Sequence, residues 1–368
     1  MENAINSNTN SANLEEDEAF VQAVAAIVSF ALPVALNTAM ELDLFNIIRK
    51  AGEGAAVLPS DIAARLIPIS SLPEAAAGGI DCLLRLLASH SLLTCCTSEL
   101  ANGATETRYG LAPAGKFFVR DGNGASFAAH HEFLRCQAGL VEGCNKLKDA
   151  VLGGGNPFER AYGTSIYEYM KSKPDYSRTF HDFMTSFSVM IMKRVCEKYN
   201  GFEGLSSIVN VGGGSGATLD VIISRYPSIH GINFDLPEVI QSAPSYKGVH
   251  HISGDMFVQV PQGDAILMKF ILHNWNDDRC VQVLKNCYEA LPNMGKVIIV
   301  DYILPDIPQD DIHSKMVSHV DYTMLMLCGS RERTKDEFEV LARKSGFSEF
   351  KVVCNAHCVW VMEFIKYG

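Results

Sequence analysis

Four glycines, Gly212, Gly213, Gly214 and Gly216, fall within five positions of the stretch IVNVGGGSGATLDVI, framed by apolar residues on both sides. The run SSIVNV before them reads as a buried strand. ATLDVIISRY after them reads as a helix, with Leu219, Ile222 and Ile223 on one face. The glycines therefore occupy a strand-to-helix turn, which offers free backbone N–H groups and tolerates positive φ. Such a turn usually cradles a nucleotide-like ligand. The spacing from Gly212 to Ala217 fits G-x-G-x-x-A, a dinucleotide fingerprint, although a tight turn without a ligand can share that spelling.

Beyond Ser206 the pattern alternates between strand and helix. SIVNV, GINF, VHHIS, AILMKFIL and KVIIVDYI read as strands, and FKVVCNA with VWVMEFIK as a closing pair joined by little more than a turn. This predicts an α/β fold with a mostly parallel sheet, helices on both faces and an antiparallel hairpin at one edge. Ligands of such sheets bind at the C-terminal ends of the strands. Asp235 ends the second strand, 19 residues beyond Gly216, where an acid can hold ribose hydroxyls. Asp255 and Met256 end the third, a place suited to an adenine, with a carboxylate for its amino group and a thioether against the ring. Lys269 ends the fourth. A single strand-end acid is usually a solvated loop residue. Three successive strand ends in order are harder to attribute to chance.

The first half differs. From Glu18 to about Leu93 the pattern is helical, and two short extended pieces follow around ANGATE. Helix, helix, hairpin is a winged-helix pattern. A DNA reader would carry a basic second helix, but IDCLLRLLASHSLL has only Arg85 and His90 among many leucines. The net charge of -11 also speaks against nucleic acid and anionic membranes as partners. The apolar run Val21 to Leu36 is short for a membrane span and contains Pro33, so a buried helix is expected. A homodimer is the partner these apolar helices imply. The polar, acidic start lacks the features of a signal peptide, and eleven cysteines fit reduced thiols in the cytoplasm. CNAHC could suggest a metal site, but alternation along a strand would send its side chains to opposite faces, so no metal is expected.

The series of strand ends resembles the S-adenosylmethionine-dependent methyltransferases. From about Glu15 to Lys366 the chain is similar to plant small-molecule O-methyltransferases of the caffeic acid type. The stretches EEDEAFVQAVAAIVSFALPVALNTAMELDLFNIIRKAG, LKDAVLGGGNPFERAYG, VGGGSGATLDVIISRYPSIHGINFDLPEVI, HHISGDMF, LHNWNDDRCVQVLKNCYEALP and RERTKDEFEVLARKSGF carry the similarity. It implies a disordered tip over residues 1–14, a winged-helix-like dimerisation domain over 15–120, and a catalytic domain over 121–368 with a Rossmann-like core from about residue 205. It also implies that Ser188, Gly212, Asp235, Leu236, Asp255, Met256 and Lys269 contact S-adenosylmethionine, with S-adenosylhomocysteine as product. Two positions depart from the family: Asn210 replaces the acid usual before the loop, and His273-Asn274-Trp275 replaces the frequent His-Asp-Trp.

Methyl transfer from a sulfonium needs no metal, because the donor is already activated. It lacks a nucleophile, since a phenol with a pKa near ~10 is mostly protonated at neutral pH. An imidazole can take that proton. The resemblance makes His273, just past the fourth strand, the general base, with Asp301 and Glu332 as the acids around it. It places Leu134, Phe180, Met184 and Met324 around the acceptor ring. Taken singly, each of these four would read as ordinary helical core. The stretch DYTMLMLCGSRERT is one residue shorter than in the caffeic acid type and has Leu327 in place of a polar Asn. A larger, more apolar phenol than a monolignol precursor is therefore expected, of phenylpropanoid, lignan, flavonoid or benzylisoquinoline type. A nicotinamide-dependent oxidoreductase would share the glycine turn and Asp235, but would leave His273 and the terminal hairpin unexplained. A winged-helix small-molecule sensor is the non-enzymatic alternative.

Overall fold

The computed structural model describes the backbone of residues 2–66, 73–120, 125–128, 130 and 138–367; side chains within 2–14, 73–75 and 138–141 are outside the description. The chain divides into two compact units, Met1–His131 and Glu132–Gly368.

The first unit holds α1 (Glu2–Val28), α2 (Ala31–Glu41), α3 (Leu44–Lys50), α4 (Pro59–Leu66), α5 (Pro73–Ser89) and the antiparallel pair β1 (Leu93–Glu99) and β2 (Thr105–Leu111). Helices followed by a hairpin is the expected order. Helix α1 runs from Glu2 to Val28 through a stretch with neither glycine nor proline to interrupt it. The single buried helix expected over Val21–Leu36 is split between α1 and α2. Pro33 accounts for the break: it has no N–H, and its ring would clash with the carbonyl four residues earlier, so it fits only in a first turn. Most side chains of this stretch are also exposed, Val21 by 65%, Ile27 by 76% and Phe30 by 70%. Helix α4 starts at Pro59, whose fixed φ suits a first helical position. The unit's core gathers Leu44, Phe45, Ile48, Ile62, Leu84 and Tyr109, and the Tyr109 hydroxyl donates to Asp81 Oδ1 at 2.7 Å. Arg85, the cation of the leucine-rich helix, is paired with Asp81 at 2.9 Å. No single helix among the described residues is long and apolar enough to cross a membrane; only the bent pair Glu15–Val28 and Ala31–Glu41 would pass together.

Among its described residues the second unit opens with the helices α6 (Ala138–Gly153), α7 (Pro157–Tyr162), α8 (Ile166–Ser172) and α9 (Pro174–Lys198). An alternating stretch follows: β3 (Ser207–Val211), α10 (Ala217–Arg225), β4 (His230–Asp235), α11 (Pro237–Ser242), β5 (Val249–Ser253), β6 (Ala265–Lys269), α12 (Asp277–Ala290) and β7 (Lys296–Asp301). It ends with α13 (Ile312–Cys328), α14 (Lys335–Lys344), β8 (Glu349–Ala356) and β9 (Val359–Ile365). The seven strands are ordered β5-β4-β3-β6-β7-β9-β8. Strands β3 to β7 pair in parallel, while β9 runs antiparallel to both β7 and β8, as the sequence predicts.

The central strands are apolar on both faces because helices cover both. Ile208, Leu267 and Ile298 pack into one core with α9 and α10, whereas Val209, Ile266 and Ile299 pack into the other with α12 and α14. Each such buried aliphatic side chain stabilises by roughly 1.5–3 kcal/mol. The fourth strand is shorter than the run AILMKFIL suggests. It stops at Lys269, and Phe270 takes φ +56, a left-handed conformation unusual for a bulky residue. Strand order reverses at β3, between β4 and β6. The C-terminal ends of these strands open a crevice there.

Candidate active site

The glycine turn leaves β3 at this crevice. Gly212, Gly214 and Gly216 have φ of +65, +58 and +87. A Cβ on Gly213 would lie 2.0 Å from Asn233 Oδ1, and one on Gly212 would lie 2.3 Å from Ile271 Cδ1. Glycine is thus required for conformation at some positions and for space at others. The turn closes on the next strand. Gly212 N and Gly213 N donate to Phe234 O at 2.9 and 3.3 Å. Gly214 N donates to Asp235 Oδ2 at 2.8 Å, and Leu236 N to Asp235 Oδ1 at 2.7 Å. Asp235 therefore shapes the turn as well as facing the crevice. Each of its oxygens keeps a second acceptor site. Burial raises its pKa against the pull of those two backbone bonds.

Other strand ends join it. Gly254 N donates to Asp235 O at 2.9 Å, tying the start of the Asp255-Met256 segment to β4. Asp255 is exposed just past β5 and accepts from Phe257 N at 2.8 Å; Met256 is half-buried against the sheet. Leu236 is 42% exposed. Lys269 is the last residue of β6, its ammonium 4.4 Å from the Phe270 ring centroid. Burial lowers its pKa to about 8, with the Asp301 carboxylate opposing. Ser188 is buried on α9, and its hydroxyl donates back to Met184 O.

Sequence reasoning missed the residues behind the turn. Asn233, fully buried on β4, donates to Gly214 O at 2.9 Å and lies 3.1 Å from His251 Nδ1. The hydroxyls of Thr185 on α9 and Ser215 in the turn are 3.0 Å apart. The available signal was a polar residue inside an apolar strand, which must be paired when buried.

Beside the crevice, His273 sits in a short 3-10 turn, Leu272–Asn274, and is only 8% exposed. Its Nδ1 lies 2.8 Å from Glu332 Oε1 and 3.6 Å from Asp301 Oδ1. Both carboxylates are fully buried. A neutral imidazole in this setting carries its proton on Nδ1, donates to Glu332, and leaves Nε2 with its lone pair. The ring stacks on Phe270 at 5.6 Å, and Phe270 stacks on Tyr302 at 5.1 Å. Burial by itself would depress the pKa of His273. The charges of Asp301 and Glu332 and the Glu332 hydrogen bond outweigh it, and the net direction is upward. Burial pushes Asp301 up to about 7, helped by the nearby Glu332 and opposed by His273. One oxygen of each carboxylate, Asp301 Oδ2 and Glu332 Oε2, has no hydrogen-bond partner among the described residues. Imidazole and carboxylate donor atoms lie within 4.8 Å of one another, a donor set that could also hold a metal ion. Asn274 turns its amide to Phe270 O at 2.9 Å, a donation that an Asp could not make.

The residues assigned to the acceptor divide. Leu134 lies outside the described residues. Phe180 and Met184 are half-buried one helical turn apart on α9, but Phe180 packs with Phe158, Ile166, Met170 and Tyr176, whereas Met184 packs with the core that includes Phe270. Met324 is buried on α13, which packs against the turn carrying His273. Leu327 packs with the Phe180 group.

Residues 144–348 match the family model of the O-methyltransferase domain, and residues 25–121 that of the O-methyltransferase dimerisation domain. The chain is 48% identical to caffeic acid 3-O-methyltransferase of Catharanthus roseus over 360 residues, covering 98% of each chain. It is 48% identical to esculetin O-methyltransferase of Kitagawia praeruptora over 353 residues, covering 96% of each. Among solved structures, CalO1, a methyltransferase in calicheamicin biosynthesis in its SAH-bound form, superposes with a TM-score of 0.77 at 20% identity, covering 95% of this chain and 98% of that one. Human N-acetylserotonin methyltransferase, in complex with SAM, superposes with a TM-score of 0.76 at 18% identity, with the same coverage. Neither the oxidoreductase nor the non-enzymatic alternative finds support in these matches. The expected resemblance holds over nearly the whole length, and the chain belongs to the plant O-methyltransferases of the caffeic acid type.

Proposed function

We propose that this enzyme methylates a phenolic hydroxyl of a plant specialised metabolite, with S-adenosylmethionine as donor, His273 as general base and no metal. The observation that carries this reading is the buried imidazole beside the donor crevice, held at Nδ1 by Glu332 with Asp301 behind it. S-adenosylmethionine supplies an activated methyl group when bound and leaves as S-adenosylhomocysteine.

The crevice fits that molecule. Glycine at 212 and 213 lets the turn pack closely on Ile271, Asn233 and Asn210, while at Gly214 nothing lies within 4 Å of where a Cβ would stand, which leaves room for a ligand. Asp235 has acceptor capacity left for ribose hydroxyls. Asp255, Met256 and Leu236 would line the base, while Lys269 and Ser188 would complete the site. At the acceptor, His273 Nε2 takes the phenolic proton as oxygen becomes the nucleophile. The imidazolium so formed is stabilised by Glu332 and Asp301, which enter the reaction without changing partner. General-base removal contributes about 10² to 10⁴ in rate.

Relatives named for caffeic acid and for esculetin support a phenolic acceptor. Leu327, Phe180, Met184, Met324 and Leu134 favour a larger, apolar ring system, because Met adapts to flat aromatics of varied outline. We further assign dimerisation to residues 15–120 and catalysis to 121–368, and place the enzyme in the cytoplasm as a homodimer. The exposed Phe20, Ile27 and Phe30 support an occluding second copy. The test is a panel of phenylpropanoids, lignans, flavonoids and benzylisoquinolines offered with a labelled methyl donor. Transfer to phenols, lost when the hydroxyl is blocked, is the expected result. Transfer to amines or thiols in preference would overturn the acceptor class.

A further inference from the structure

We propose that Arg333 is a positioning residue for the base, acting on the backbone to either side of His273; this rests on the reading of His273 as that base. The Arg333 side chain is 2% exposed. Its Nη1 donates to Leu272 O at 2.7 Å and its Nη2 to Trp275 O at 2.7 Å. Those two carbonyls bracket His273 and Asn274. Nε and Nη2 also donate to Asp277 Oδ1, at 3.1 and 2.8 Å. One planar group therefore holds three acceptors that belong to the turn and to the helix after it.

Glu332 and Arg333 are consecutive in the chain and hold the same residue in different ways. Glu332 takes the ring at Nδ1, and Arg333 takes the backbone that carries the ring. The pair is itself fastened on three sides. Glu332 N donates to Asp321 Oδ1 at 2.7 Å, Arg333 O accepts from Leu304 N at 2.8 Å, and Thr334 opens the next helix with a capping box to Glu337. An ordinary helix cap or surface ion pair would need none of the carbonyl contacts. A guanidinium taken this far out of water is costly unless every donor is directed. Its only carboxylate partner among the described residues, Asp277, is half-exposed, so the carbonyls bear much of the role. A lysine cannot reproduce the fork, because it is a point charge without fixed donor directions. A base displaced by about 1 Å loses about 10²-fold in rate.

The test uses full-length Arg333→Lys and Arg333→Met enzymes beside His273→Gln. Calorimetry gives donor affinity and the number of donor-binding sites, and kcat, acceptor KM and the pH profile are then expressed per competent site. For Arg333→Met the expected result is a kcat lower by about 10- to 100-fold, an unchanged donor Kd and an altered acid limb of the pH profile. Arg333→Lys should recover only part of the rate. Wild-type kcat and pH profile per competent site in either variant would overturn the proposal. If Arg333→Met yields no competent sites, Asp277→Ala decides, since it frees one side of the fork: about a 3- to 10-fold fall in kcat at unchanged donor affinity is expected, and wild-type kcat overturns the proposal. Wild-type turnover in His273→Gln would instead remove the reading of His273 as base, independently of Arg333.

Discussion

His273 Nδ1 and Glu332 Oε1 lie 2.8 Å apart, although 59 residues separate them in the chain. That hydrogen bond fixes the tautomer and leaves Nε2 facing away from the carboxylates. His273→Gln should therefore lower kcat by about 10² to 10⁴ while leaving donor affinity intact. Stopped-time assays paired with donor calorimetry check this. Turnover near wild type at neutral pH would exclude the base role.

The acid limb of the pH profile reports the cluster. The base works when Nε2 is unprotonated, so activity falls as pH drops through the pKa of His273, which lies above its ordinary 6.5 because of the two carboxylates. Asp301→Asn removes one of those charges. The limb should move to lower pH in that variant, and a limb that stays in place would contradict the electrostatic account.

Asp301 also bears on stability. Its folded pKa is raised from 3.8 to about 7, so its contribution is present below the unfolded value and is lost as pH rises toward the folded one. Asn cannot ionise and still offers an oxygen to Tyr302 N, which Asp301 Oδ1 accepts at 2.9 Å. The Tm of Asp301→Asn relative to wild type should thus grow more favourable from pH 4 to pH 8, by a few degrees, roughly 2–4 °C per kcal/mol. A pH-independent difference would rule this out.

Gly213→Ala places a methyl group 2.0 Å from Asn233 Oδ1 and 2.6 Å from Asn210 Nδ2. Overpacking of this kind costs about 1–3 kcal/mol. Weaker donor binding should accompany the loss, since the turn must shift to accommodate the group. Asp235→Ala should weaken donor binding first as well, by freeing Gly214 N and Leu236 N. Calorimetry showing unchanged donor affinity in both would refute the role of the turn.

Sedimentation tests the dimer. At about 25 cal/mol per Å², the exposed apolar side chains of α1 and α2 favour a large, long-lived interface. A dimer at micromolar concentration is expected, and deletion through Gly52 should cause aggregation or loss of acceptor turnover with donor binding retained. A fully active monomer would sink the claim. Turnover should also survive prolonged treatment with a chelator; loss restored by a divalent ion would make the His273, Asp301 and Glu332 group a metal site.

Local rules were enough for much of this protein. Glycines crowded between an apolar strand and an amphipathic helix specify a ligand turn, because few other residues tolerate its φ values and close contacts. Alternating strand and helix runs specify a parallel sheet, and the short link between the last two runs specifies the antiparallel edge. Strand ends then point to Asp235 and Lys269, since the register of each strand is written in its apolar residues. Interactions across long separations were not legible in the same way. That Asp235 closes the turn's own N–H groups, that Asn233 supports the turn from below, and that Glu332 and Arg333 divide the holding of His273 all depend on which strand ends share an edge. Spacing along the chain does not encode those meetings. They exist because strand order brings β3, β4, β6 and β7 side by side, and because a polar group buried there must find its partner wherever the fold has placed one.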